Sequence, residues 1–167
     1  MSFFKKLFSI PSQEKEEVKK QDVKLALDDL FVHNFVNKGG KFLYCLSEKE
    51  LQENLKSILL ENNWNSLRIL DSELNKFVDK KNTEIVNTSY KNLPVLTYCE
   101  YLISDSGDIL FSSNQLESKK LSEYSTNFIV FAKTSQLVKN TSQGLTGIKK
   151  NSKGSLPTNI SAIKSYQ

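Results

Sequence analysis

From Asp28 onward the chain alternates between short continuous apolar runs and stretches whose apolar residues recur every three or four positions. The runs predict strands, and the spaced residues predict helices with one face on a sheet. Leu30, Phe31, Val32, Phe35 and Val36 follow the acidic pair Asp28-Asp29 and stop at Gly39-Gly40. Acidic residues at the start and glycines at the end suit a helix. Lys41–Leu46 (KFLYCL) reads as a strand. Ser47 and Glu50 then make the S-x-x-E pattern of a capping box, ahead of Leu51, Leu55, Ile58 and Leu59 on one helical face. Leu67–Leu70 is the next strand. Asp71 caps a short helix carrying Leu74, Phe77 and Val78, and Ile85-Val86 forms a third short strand.

Val95–Ser104 is apolar and β-prone, Asp105-Ser106-Gly107 is a turn signal, and Asp108–Ser113 returns as a partner strand. This predicts a hairpin over Val95–Ser113. Asn114–Ser125 is a polar loop with some helical character. Asn127–Ala132 (NFIVFA) is a strongly apolar strand. Thr134-Ser135 caps a following helix with Leu137, Val138, Leu145 and Ile148 on one face, its second half weakened by Gly144 and Gly147. Lys149–Ser155 is a loop, and Leu156–Ile163 returns toward strand. Strands alternating with helices predict an α/β fold around a mostly parallel sheet with one antiparallel hairpin.

The length, 167 residues, suits one domain with a real core. No apolar run approaches the ~20 residues of a membrane-spanning helix. Phe3, Phe4, Leu7, Phe8 and Ile10 surround Lys5-Lys6 at the N-terminus. They read as a sticky tail. A weak peripheral membrane or partner contact through this segment is the alternative. Ser12–Lys24 is almost wholly polar and reads as a linker. The predicted organisation is therefore a tail and linker over 1–24 and one α/β domain over 25–167. Cys45 and Cys99 both lie in strand-like runs and belong to no CxxC or Cys/His cluster, so neither a metal nor another cofactor is predicted. Buried free thiols without a signal-peptide core point to the cytoplasm.

Charge changes the picture in the C-terminal third. Lys133, Lys139, Lys149, Lys150, Lys153 and Lys164 lie there with no acidic residue, in a chain of formal net charge +4. This favours a small anionic ligand. Nucleic acid is not predicted, because no aromatic or arginine-rich patch accompanies the lysines and Arg68 is the chain's one arginine. Ligands of open α/β sheets bind beyond the carboxyl ends of strands, which selects two places. At the first, Lys133, Thr134 and Ser135 follow NFIVFA at a predicted strand-to-helix junction, where free amides can hold an anion. Simple N-capping is the plainer reading of those hydroxyls. At the second, Glu100 interrupts an apolar strand. A buried carboxylate there must be paired, hydrogen-bonded or protonated, and is a candidate acid/base; on a solvated strand face it would be ordinary. Ser112, Ser113 and Asn114 form a polar cluster after DILF and can line the same cleft. His33, the only histidine, reads as a solvated or packing residue.

The ordered stretches CEYLISDSGDILFSSNQ, NFIVFAKTSQLVKNTSQGLTGIK and LPTNISAIKSYQ, with the earlier KGGKFLYCLSEKELQENL, resemble the LUD (lactate-utilisation domain) family. The likeness, to a domain found in the C subunit of bacterial lactate-utilisation systems, spans roughly Asp28–Gln167, and the early stretch also resembles the short members of Bacteroidetes-type bacteria. It implies a three-layer α/β fold related to the sugar-phosphate isomerase and CoA-transferase group. It further implies an accessory role near the oxidation of L-lactate to pyruvate, beside iron–sulfur partner subunits, with Thr158 and Asn159 among the ligand-binding residues. Two departures stand out. The family's terminal motif carries an acidic residue where this chain has Lys164, and family members continue to a final apolar strand beyond the point where this sequence stops. With no cluster-binding cysteines, the chain is not expected to hold iron–sulfur itself.

Overall fold

In the computed structural model, residues 26–88, 92–152 and 155–166 are described. The expected tail and linker over 1–24 lie outside them, as do Lys153 and Gln167. Helices α1 (Leu27–Asn37) and α2 (Glu48–Glu61) precede strand β1 (Ser66–Ile69), a 3-10 turn at Ser72–Phe77, and strands β2 (Glu84–Ile85) and β3 (Val95–Tyr98). Strands β4 (Tyr101–Ile103) and β5 (Asp108–Ser112), the one-turn helices α3 (Ser113–Leu116) and α4 (Leu121–Tyr124), and strand β6 (Phe128–Phe131) follow. After a 3-10 turn at Thr134–Gln136 come β7 (Leu137–Val138), helix α5 (Thr141–Asn151) and β8 (Ile160–Ile163).

The fold is α/β, but the strands divide between two four-stranded sheets rather than one. The first, in the order β2-β1-β3-β6, is entirely parallel. The second, in the order β7-β4-β5-β8, is mixed: β4 runs parallel to β7, while β5 is antiparallel to both β4 and β8.

Each sheet acquires its partners for a sequence-legible reason. In α2, Ser47 Oγ accepts from Glu50 N at 3.1 Å and Glu50 Oε2 accepts from Leu46 N at 2.7 Å, so the first turn closes as its S-E-K-E sequence predicts. Leu55 and Leu59 then pack with Leu67, Leu74, Phe77 and Leu96 on one side of the parallel sheet. Val95, Phe128 and Val130 lie in a second core with Leu102, Ile109 and Phe111 of the mixed sheet and Phe31 and Phe35 of α1. Burying such side chains is the main favourable term in folding, about 1.5–3 kcal/mol for each large one. Helix α5 sits close on the mixed sheet because Gly144 lacks a side chain: a Cβ there would stand 2.7 Å from Leu110 Cδ1.

Three sequence expectations are corrected. Lys41–Leu46 is not a strand. It is irregular chain with Leu43, Tyr44 and Leu46 exposed, because no sheet edge pairs with it. Cys45 is consequently only half-buried, whereas Cys99 is buried; both are free thiols. The run Val95–Ser104 is two strands, with β3 in the parallel sheet and β4 in the mixed one, so the hairpin proper is Tyr101–Ser112. The helix expected after Thr134-Ser135 begins instead at Thr141, where Asn140 Oδ1 accepts from Gln143 N at 3.0 Å; Leu137-Val138 is a strand.

Candidate functional site

At Cys99-Glu100 the chain passes from one sheet to the other. Tyr98 still pairs with Phe131 in the parallel sheet, and Tyr101 already pairs with Leu110 in the mixed one. The joint keeps its backbone bonds satisfied. Glu100 N donates to Leu110 O at 2.8 Å, and the carbonyls of Cys99 and Glu100 accept from Gln136 Nε2 at 2.6 and 3.1 Å. The other end of that amide, Gln136 Oε1, accepts from Lys133 N at 2.8 Å. One glutamine thus ties the end of β6 to the joint.

The end of β5 approaches the same joint. Ser112 caps α3: its Oγ accepts from Asn114 N at 3.1 Å, while Gln115 Oε1 accepts from Ser112 N at 2.9 Å. The Ser112 hydroxyl has one proton, and Glu100 Oε1 lies 2.5 Å away, against 3.4 Å for Gln115 Oε1. The shorter contact to a carboxylate is much the stronger, so Ser112 donates to Glu100. Asn114 Nδ2 and Gln115 Nε2 also donate to Glu100 Oε1, at 3.1 and 3.0 Å.

Three donors therefore converge on one carboxylate oxygen of a half-buried glutamate. No described residue donates to the other oxygen, Oε2, and no described cation pairs with Glu100. A carboxylate accepts at about four lone-pair positions, so Oε2 keeps its full capacity. The arrangement fixes the carboxylate through one oxygen and presents the other. Beside it, burial first, and then the charge of Glu100, push the Cys99 thiol up to about 12. At neutral pH Cys99 is a packed neutral group, not a nucleophile.

Of the residues singled out by sequence, Glu100, Ser112 and Asn114 share this network directly. Ser113 stands next to it and faces the C-terminal segment: its Oγ accepts from Thr158 N at 3.0 Å, and its N donates to Asn159 O at 2.9 Å. Thr158 and Asn159 thus reach the cluster through backbone groups. Lys133 is joined to it through Gln136, whereas no hydrogen bond joins the Thr134 or Ser135 side chain to it; both residues are exposed. The expected helix N-terminus for an anion is absent at Thr134, since a 3-10 turn and a strand follow. His33 is exposed and lies 3.1 Å from Asn37 Nδ2. Sequence reading missed Gln115 and Gln136. Both occupy the third position after a cap, in S-S-N-Q and K-T-S-Q, where a glutamine reaches back to backbone; that spacing was the available signal.

Compared with known proteins, residues 33–167 match the LUD domain family profile. A crystal structure of a DUF162 family protein from Deinococcus radiodurans superposes with a TM-score of 0.63 at 13% identity, covering 83% of this chain and 88% of that one. At that identity the likeness speaks to fold alone. No curated protein matches significantly.

Proposed function

The chain belongs to the LUD-domain family, and from that premise we propose that it is a cytoplasmic accessory or regulatory component of L-lactate utilisation that binds a small anionic metabolite at the Glu100 joint. The observation that carries this reading is the unshared Oε2 of a carboxylate already fixed through Oε1. Such a group accepts a hydrogen bond from a ligand without having to reorganise first, which favours binding. The cations this reading calls on for the ligand's negative charge are Lys133, whose backbone joins the cluster through Gln136, and the lysines of the C-terminal third. In this reading the chain works beside iron–sulfur subunits that carry the electrons, and its fold is a relative of the sugar-phosphate isomerase and CoA-transferase group.

The test is calorimetric titration of the protein with L-lactate, pyruvate, a sugar phosphate and coenzyme A. One of them is expected to bind, and Glu100→Gln is expected to weaken it by about 10-fold or more, the worth of a hydrogen bond to a charged group. Absence of binding by all four would remove the proposal. A second reading, an enzyme of the same fold acting on a phosphorylated or CoA-type substrate, is favoured by the same free oxygen, because a general base needs an unshared lone pair within reach of the proton it takes. Turnover that survives unchanged in Glu100→Gln would exclude that role.

A further inference from the structure

A second concave region lies at the opposite end of the parallel sheet. It is a cavity of about 320 Å³ lined by Leu55, Leu59 and Leu60 of α2, Trp64, Phe77 and Thr83, with Lys56, Asp79, Asn65 and Asn82 around it. Asn65 immediately precedes β1 and Thr83 immediately precedes β2, so the cavity opens at the amino ends of these strands. Glu100 and Lys133 follow the carboxyl ends of β3 and β6. The two sites are separate.

Four features define what the cavity can hold. Its volume falls at the lower edge of the range for small-molecule sites, about 300–1,000 Å³. Its floor is apolar, since Leu55, Leu59 and Phe77 are all buried, and Leu60 is a large apolar side chain left 63% exposed at its edge. Lys56 and Asp79 lie 3.6 Å apart, and Asp79 also accepts from Lys81 N at 3.1 Å and Asn82 Nδ2 at 2.8 Å. The charges at the rim therefore compensate one another and leave no excess for an ionic ligand. Thr83 is only 8% exposed, and among the described residues nothing hydrogen-bonds its hydroxyl. A hydroxyl met there only by water can exchange that water for a ligand's donor or acceptor, and displacing the water with an apolar group loses its hydrogen bonds.

We propose that this cavity is a binding site for an uncharged planar ring bearing an amide-like polar edge, its ring against Trp64 and the leucines and its edge on Thr83. Trp64 is the chain's only tryptophan, so intrinsic fluorescence reports the site alone. Full-length protein would be titrated with benzamide and adenosine, which have such an edge, and with toluene, which lacks one. Benzamide or adenosine is expected to shift Trp64 emission saturably and more tightly than toluene. Thr83→Val, which removes the hydroxyl and keeps the shape, should weaken the polar rings about 2- to 10-fold, the usual worth of one neutral hydrogen bond. Leu60→Glu, at an already exposed position, should weaken all three, and Glu100→Gln none. No saturable shift would overturn the proposal. So would a shift in which toluene equals the others and Thr83→Val is silent. So would a concentration-dependent dimer abolished by Leu60→Glu without any ring effect, which would make the groove a protein contact.

Discussion

One hairpin carries a carboxylate at each end, and the two are held in opposite ways. At the turn end, Asp108 has a side chain only 10% exposed and pairs with Lys38 Nζ at 2.5 Å. Around it the turn is fastened to α1 and to the C-terminal segment. Asn34 Nδ2 donates to Ser104 O at 2.8 Å, Tyr166 Oη donates to Gly107 O at 2.8 Å, and Tyr166 N donates to Lys38 O at 3.1 Å. At the open end, Glu100 receives three neutral donors and no described cation. The charge of Asp108 is answered inside the protein, and the charge of Glu100 is oriented but not answered. A carboxylate compensated by a cation is part of the scaffold. One held only by dipoles through a single oxygen still has acceptor positions to offer a donor, which is what a binding site requires.

The sharpest way to break the turn end is Gly107→Val. Gly107 has φ 69°, and a Cβ there would stand 2.5 Å from Phe35 N in α1. Left-handed strain and the clash together should destabilise the protein by about 4 kcal/mol, seen as a lowered denaturation midpoint or as loss of soluble protein. Asp108→Ala should cost less, about 2–3 kcal/mol, because Lys38 is partly exposed and water recovers some of its charge; urea unfolding measures it. Cys99 sharpens the comparison at high pH. Its folded pKa, about 12, lies above the ordinary thiol value, so between those values the folded state holds a proton the unfolded chain releases. That stability is complete well below pH 9 and falls as pH rises, by about 1–2 kcal/mol at pH 10. The buried Tyr124 and the half-buried Tyr98 and Tyr166 are also shifted upward, chiefly by desolvation, and add to the loss at still higher pH. In alkylation at pH 8, half-buried Cys45 should react in the native protein and Cys99 only on unfolding. Glu100→Gln should have the smallest effect on stability, under about 1 kcal/mol, since Gln retains an oxygen for the three donors. A large loss in that variant would erase the distinction between the two ends.

The sequence made the turn end legible and half of the open end. Asp105-Ser106-Gly107 announces the turn through residue types that tolerate its backbone. Glu100 stood out as a charge within an apolar run, and Ser112 and Asn114 as polar residues after one. The division of VLTYCEYLI between two sheets was hidden because the run is apolar throughout, and apolarity specifies burial without naming the partner. KFLYCL has the same local character as NFIVFA, but only the second meets an open edge, at β3. Strand propensity is half of a contract that tertiary structure must complete. The start of α5 was misplaced for a related reason. Thr134-Ser135 and Asn140-Thr141 are both acceptable caps, and Leu137-Val138 between them fits a helix face or a two-residue strand equally well.

The four-residue connection of the hairpin also bears on the order in which this molecule acquires its structure. β4 and β5 are joined by Ser104–Gly107 alone, whereas Val95 must find Phe128 and Phe111 must find Ser161 across long intervening chain. Closing a short loop loses little entropy, and distant pairings form against a larger entropic barrier. The hairpin is therefore expected to be ordered in the folding transition state, with β8 docking on its outer edge afterwards. Destabilising changes in the turn should then slow refolding, while comparable changes in β8 should mainly hasten unfolding.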